Sequence, residues 1–84
     1  MSHDELRSNL KKMISELIEV DDFGDDENFV QDLGVDSMMG IEIVARIEKT
    51  YRIQIPEEQL RKIKTLNDVV EVTVSALNAF KTTA

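Results

Sequence analysis

The sequence predicts an all-α fold: a small bundle of three main helices plus one short helix, with a long first loop. Three observations carry that reading. Apolar residues recur at helical spacing in three stretches, residues 6–18, 40–51 and 66–80. The alternating run Arg52-Ile53-Gln54-Ile55 is extended for a few residues but makes no convincing sheet. The one proline, Pro56, falls between the second and third stretches.

The first helix is expected over residues 4–19. Leu6, Leu10, Met13, Ile14, Leu17 and Ile18 form its apolar stripe, and Asp4 and Glu5 sit in the first turn, where the helix dipole favours acids. A connection follows over residues 20–35. Its first half is crowded with Asp21, Asp22, Asp25, Asp26 and Glu27, while Phe23, Phe29, Val30 and Leu33 are expected to tuck it onto the core. A calcium-loop reading of the acids fails. With Asp22 at position one, Gly24, Glu27 and Leu33 fall at positions three, six and twelve, where an EF-hand needs an oxygen ligand, glycine and glutamate. No metal site is therefore expected; the acids read as a solvated loop with at most weak, delocalised cation binding.

The second helix is expected over residues 37–51, with Asp36 as its N-cap and Gly34 supplying the turn before it. Gly40, Ile43, Val44, Ile47 and Tyr51 share the core face. Met38, Ile41 and Ala45 share the opposite face, flanked by Glu42 and Glu48, with Arg46 and Lys49 also off the core. Pro56 suits the first position of a short helix reaching Ile63. Thr65 and Asp68 form a capping-box pattern for the last helix, residues 66–80, whose inner face is Leu66, Val69, Val70, Thr73, Leu77 and Phe80. Residues 1–3 and 82–84 are expected to fray. Residues 1–84 then read as one small domain and, with Met1 in place, as a whole protein.

Composition excludes several functions. The net charge of −7, with ten basic residues scattered among seventeen acids, argues against nucleic-acid binding. It favours partners with basic patches. There is no cysteine, so disulfides and thiol chemistry of the chain itself are excluded. No apolar run is long enough to span a membrane, and the N-terminus is not a signal peptide, so a cytoplasmic location is the default.

Ser37 is the candidate functional residue. It follows the capping Asp36 at the first turn of a helix, an end that favours a phosphate. A nucleophilic serine needs an activating base, and the only histidine, His3, lies in the tail, so catalysis by this chain is not expected. Met38, Ile41 and Ala45 form an apolar stripe beside Ser37, which marks a binding surface. Gly40 reads equally as room for a ligand and as tight helix packing. These residues alone leave two classes open: a carrier module with a covalent arm on Ser37, and an unmodified helical protein-interaction module.

Leu33-Gly34-Val35-Asp36-Ser37-Met38 resembles the attachment motif of the acyl carrier proteins, which usually reads Leu-Gly-x-Asp-Ser-Leu. The resemblance extends over nearly the whole chain, through Ile53-Gln54-Ile55-Pro56-Glu57-Glu58 and Thr65-Leu66-Asn67-Asp68-Val69-Val70. It implies 4′-phosphopantetheine held by Ser37 through a phosphodiester, with acyl groups carried on the thiol end. It also implies an acyl-carrier-like bundle that meets its partners through Asp36, Met38, Met39, Ile41, Glu42, Ala45 and Glu48. Those partners are a phosphopantetheinyl transferase and the acyl-transferring, condensing or modifying enzymes of fatty-acid or polyketide-type biosynthesis; a monomer is expected. Peptidyl and D-alanyl carriers use the same serine, so an aminoacyl cargo stays an alternative. Asp-Ser-Met-Met-Gly-Ile-Glu-Ile departs from the housekeeping pattern Asp-Ser-Leu-Asp-Thr-Val-Glu-Leu and is closer to the polyketide pattern Asp-Ser-Leu-Met-Ala-Val-Glu-Leu, which points to a specialised pathway.

Overall fold

The computed structural model describes the backbone of residues 3–83 and the side chains of residues 3–78. Four helices follow in order: α1 (His3–Ile18), α2 (Ser37–Tyr51), α3 (Glu57–Leu60) and α4 (Leu66–Thr83). No strand occurs among the described residues. Helix geometry therefore begins at His3 and continues through residues 82 and 83, further into both ends than the sequence suggested. Met1, Ser2 and Ala84 lie outside the described residues.

The apolar stripes pack where their spacing puts them. Leu6, Leu10, Ile14 and Ile18 of α1, Ile43 and Ile47 of α2, and Leu66, Val69, Val70 and Val72 of α4 are buried in one core. Met13, Leu17, Val44, Tyr51 and Leu77 pack against it half-buried. Val72 is an addition to the expected face of α4, and the side chain of Phe80 lies outside the described residues. Ile53 and Ile55 are buried between exposed neighbours, so the short alternation after α2 does bury every second residue.

α2 spans the expected residues and α1 stops one residue short of Glu19, and both close in the same way. Glu19 and Arg52 take the left-handed conformation, with φ of 59° and 54°. Behind each, an amide reaches back five residues, Val20 to the Ser15 carbonyl at 3.0 Å and Ile53 to the Glu48 carbonyl at 3.1 Å. This is the Schellman closure, normally marked by glycine. Here an acidic and a basic residue fill the glycine position, so Arg52 ends α2 instead of starting the extended segment. α3 closes at Leu60, short of Ile63, because Lys62 and Ile63 bond only three residues back, to Gln59 and Leu60. Pro56 is its N-cap, extended at φ −59° and ψ 146°. The capping box on α4 forms in both directions: the Thr65 amide donates to Asp68 Oδ2 at 3.1 Å and the Asp68 amide to Thr65 Oγ1 at 3.3 Å.

The long loop is held at several points. Phe23 and Phe29 are buried edge to face, 6.0 Å between centroids. The Phe29 amide donates to the Lys64 carbonyl at 2.8 Å, and the Asn67 amide to the Asp25 carbonyl at 3.2 Å. Arg7 reaches Asp25 at 3.1 Å and also donates to Asn67; Lys11 reaches Asp22 at 3.2 Å and Asp25 at 3.4 Å and lies over the Phe23 ring. Two of the five acids, Asp22 and Asp25, are therefore paired with α1. Residues 28–33 wind into one turn, in which Asn28 Oδ1 accepts from the Val30 and Gln31 amides and Asp32 Oδ2 accepts from the Asn28 amide. That turn corrects one expectation: Val30 points outward and is 68% exposed, whereas Val35, not foreseen, is buried.

Candidate functional site

The loop delivers the chain to α2 through two constrained residues. Gly34 takes φ +68°, a conformation that side chains rarely adopt. Asp36 is extended, and its Oδ1 accepts from the Met39 amide at 2.9 Å, one of the donors a helix start leaves orphaned. Ser37 follows as the first residue of α2. It is exposed, and no described residue hydrogen-bonds its hydroxyl.

Among the described residues no base is hydrogen-bonded to it. His3 lines a separate surface cleft with Arg7 and Val70, between α1 and α4. The hydroxyl is therefore accessible to a second enzyme that brings its own base. Beside Ser37 opens a groove of about 360 Å³ between α2, α3 and the loop. Ile41, Val44 and Ile47 form its α2 wall, and Leu60, Ile63 and Val69 face them. The exposed hydroxyl thus stands at a helix N-terminus, an end that favours negative charge, beside a largely apolar groove.

Among the other candidate residues, Met38 and Ile41 are 74% and 65% exposed, and Glu42 and Ala45 are exposed with them. Asp36 is exposed but already engaged as the cap. Met39 is half-buried and packs on the core, so only part of it faces outward. Glu48 departs most from expectation. It is half-buried, and its Oε2 accepts from the Ile55 amide at 2.8 Å, pinning the segment after α2. Val30, missed in the sequence, adds a third large exposed apolar side chain, at the groove rim. Its signal was a polar surrounding: Asn28, Gln31 and Asp32 occupy the rest of that turn.

Gly40 lies on the groove face of α2. A Cβ built there meets nothing within 4 Å. Tight helix packing does not account for it, although a glycine inside a helix costs about 0.5–1 kcal/mol relative to alanine.

Known proteins share both sequence and shape. A family profile described as a phosphopantetheine attachment site matches residues 8–73. Polyketide-8 synthase acyl carrier protein 2 of Streptomyces avermitilis is 33% identical over 73 residues, covering 84% of each chain. The crystal structure of an acyl carrier protein from Thermotoga maritima superposes with a TM-score of 0.78 at 22% identity, over 95% of each chain. A chain in the structure of the ishigamide ketosynthase/chain length factor gives 0.75 at 31% identity, over 88% of this chain and 96% of that one. By profile, sequence identity and fold, this chain belongs to the phosphopantetheine-attachment family of acyl carrier proteins, which bear covalent 4′-phosphopantetheine and carry acyl groups without catalysing their chemistry.

Proposed function

We propose that Ser37 is the residue to which 4′-phosphopantetheine is attached. The observation that carries this is the exposed, unbonded hydroxyl at the first residue of α2, within the Asp36-Ser37-Met38 motif and beside an apolar groove. A phosphopantetheinyl transferase supplies the activation that the described residues lack. The Ser37 oxygen bonds to the phosphorus bearing pantetheine in coenzyme A, the pyrophosphate bond breaks, the nucleotide leaves, and the hydroxyl proton passes to a base on the transferase. When bound, the arm supplies the thiol on which acyl groups ride.

Partner enzymes dock on the outer face of α2. Met38, Ile41 and Ala45 are the apolar contact, widened by Val30 at the groove rim and by the exposed part of Met39; Glu42 and Asp36 meet basic patches. Glu48 holds the backbone instead. The Asp-Ser-Met-Met-Gly-Ile-Glu-Ile run, the polyketide relative and the likeness to a chain solved with a ketosynthase/chain length factor favour a specialised, polyketide-type pathway with a condensing enzyme among the partners. The chain works as one carrier domain over residues 1–84, as a monomer kept apart by its net charge of −7, in the cytoplasm where coenzyme A is at hand.

A thiol titration tests the attachment. The chain has no cysteine, so the apo protein gives no thiol signal. Treatment with a broad-specificity transferase and coenzyme A should produce one thiol per chain, and none in Ser37→Ala. A wild type that stays thiol-free would sink the proposal.

A further inference from the structure

Ser37, Gly40, Ile41, Val44 and Ile47 stand at i, i+3, i+4, i+7 and i+10, a single face of α2, and all five line the groove. Four of them present side chains to it; Gly40 presents none. The gap lies between Ser37, where the arm begins, and Val44, deeper along the wall. Backbone conformation does not demand glycine there, since Gly40 lies within α2 and is not among the positive-φ residues. Packing does not demand it either, since an added Cβ meets no heavy atom within 4 Å. What the glycine preserves is empty space at the groove mouth.

We infer that Gly40 is a specificity-determining residue: its missing side chain sets the width of the groove beside Ser37 and thereby the girth of the acyl chain that can lie in it. The inference rests on the attachment of the arm to Ser37. Ile41, Val44, Leu60, Ile63 and Val69 make the lining apolar, so the cargo it fits is a hydrocarbon-rich acyl chain. A methyl at residue 40 narrows the passage, and a leucine closes it while leaving α2 a better helix.

The test uses acetyl and octanoyl forms of the wild type, Gly40→Ala and Gly40→Leu, each loaded from the acyl-coenzyme A by a broad-specificity transferase and checked by mass. Thermal melting is then compared with the thiol form of the same protein. The octanoyl chain should raise the wild-type melting temperature by several degrees, as a ligand seated in the folded state does. The rise should fall by half or more in Gly40→Ala and vanish in Gly40→Leu, while the acetyl forms match their thiol forms throughout. Equal octanoyl shifts in all three proteins would overturn the inference, as would no shift in the wild type. An unmodified Gly40→Ala melting below the wild type would overturn it too, because packing would then require the glycine. Failure of the wild type to load at all is a different result: it removes the attachment on Ser37, and the inference falls with it.

Discussion

Thr73 is fully buried on α4, and its Oγ1 has no hydrogen-bond partner among the described residues. A buried, unsatisfied hydroxyl costs about 1–3 kcal/mol. Thr73→Val should therefore raise stability by about 1 kcal/mol, read as a higher urea midpoint with unchanged slope; a lower midpoint would mean the hydroxyl does have a partner. Lys11 is the second informative residue. Its hydrogen bond to Asp22 is the largest reason that the Lys11 ammonium is held above its ordinary value and the Asp22 carboxyl below its own. The folded state thus binds fewer protons at Asp22 than the unfolded state does. That contribution is present above the ordinary carboxylate value of 3.8 and is lost as pH falls through the depressed one. Lys11→Gln should lower the melting temperature at neutral pH in low salt, and the difference should shrink in salt and below that value. A difference independent of pH would show that Lys11 acts only through its contact with Phe23. Spacing revealed the burial of Thr73 and the presence of the acids. It could not reveal that α1 answers them, because Arg7 and Lys11 meet Asp25 only after the chain has doubled back.

At the scale of the element, α2 divides the labour. Ile47 is fully buried at the base of the groove wall, while Ile41, at its outer edge, is 65% exposed. Ile47→Ala should cost about 2–5 kcal/mol through the cavity it leaves. Ile41→Ala should stay within about 0.5 kcal/mol, as exposed substitutions do. Similar losses in chemical denaturation would mean that α2 is rotated from the orientation described. This division was legible because helical periodicity assigns faces directly. The ends of the helices were less so. Glu19 and Arg52 adopt a backbone conformation usually given away by glycine, and neither residue type announces it. The polar role of Glu48 was hidden for a related reason: its partner, the Ile55 amide, is brought close only by the reversal at Arg52.

For the whole molecule, the bundle topology followed from three apolar stripes and one long acidic connection. The groove did not, since it needs α2, α3 and the loop in place together. The same assembly decides how partners are met. Glu42 is an exposed charge on a chain of net charge −7, so Glu42→Lys should mainly slow association with the transferase and flatten its salt dependence. Met38→Ala and Ile41→Ala remove apolar area that contact would desolvate, so they should mainly speed dissociation. Rates equal to wild type in all three folded variants would take the recognition surface away from α2. Underneath these effects lies one claim, that the hydroxyl of Ser37 carries the arm. The most direct measurement is the intact mass of the wild type and of Ser37→Ala before and after incubation with coenzyme A and a broad-specificity transferase. The wild type should gain the mass of a single 4′-phosphopantetheine and Ser37→Ala should gain nothing. An unchanged wild type, or an equal gain in Ser37→Ala, would contradict that claim.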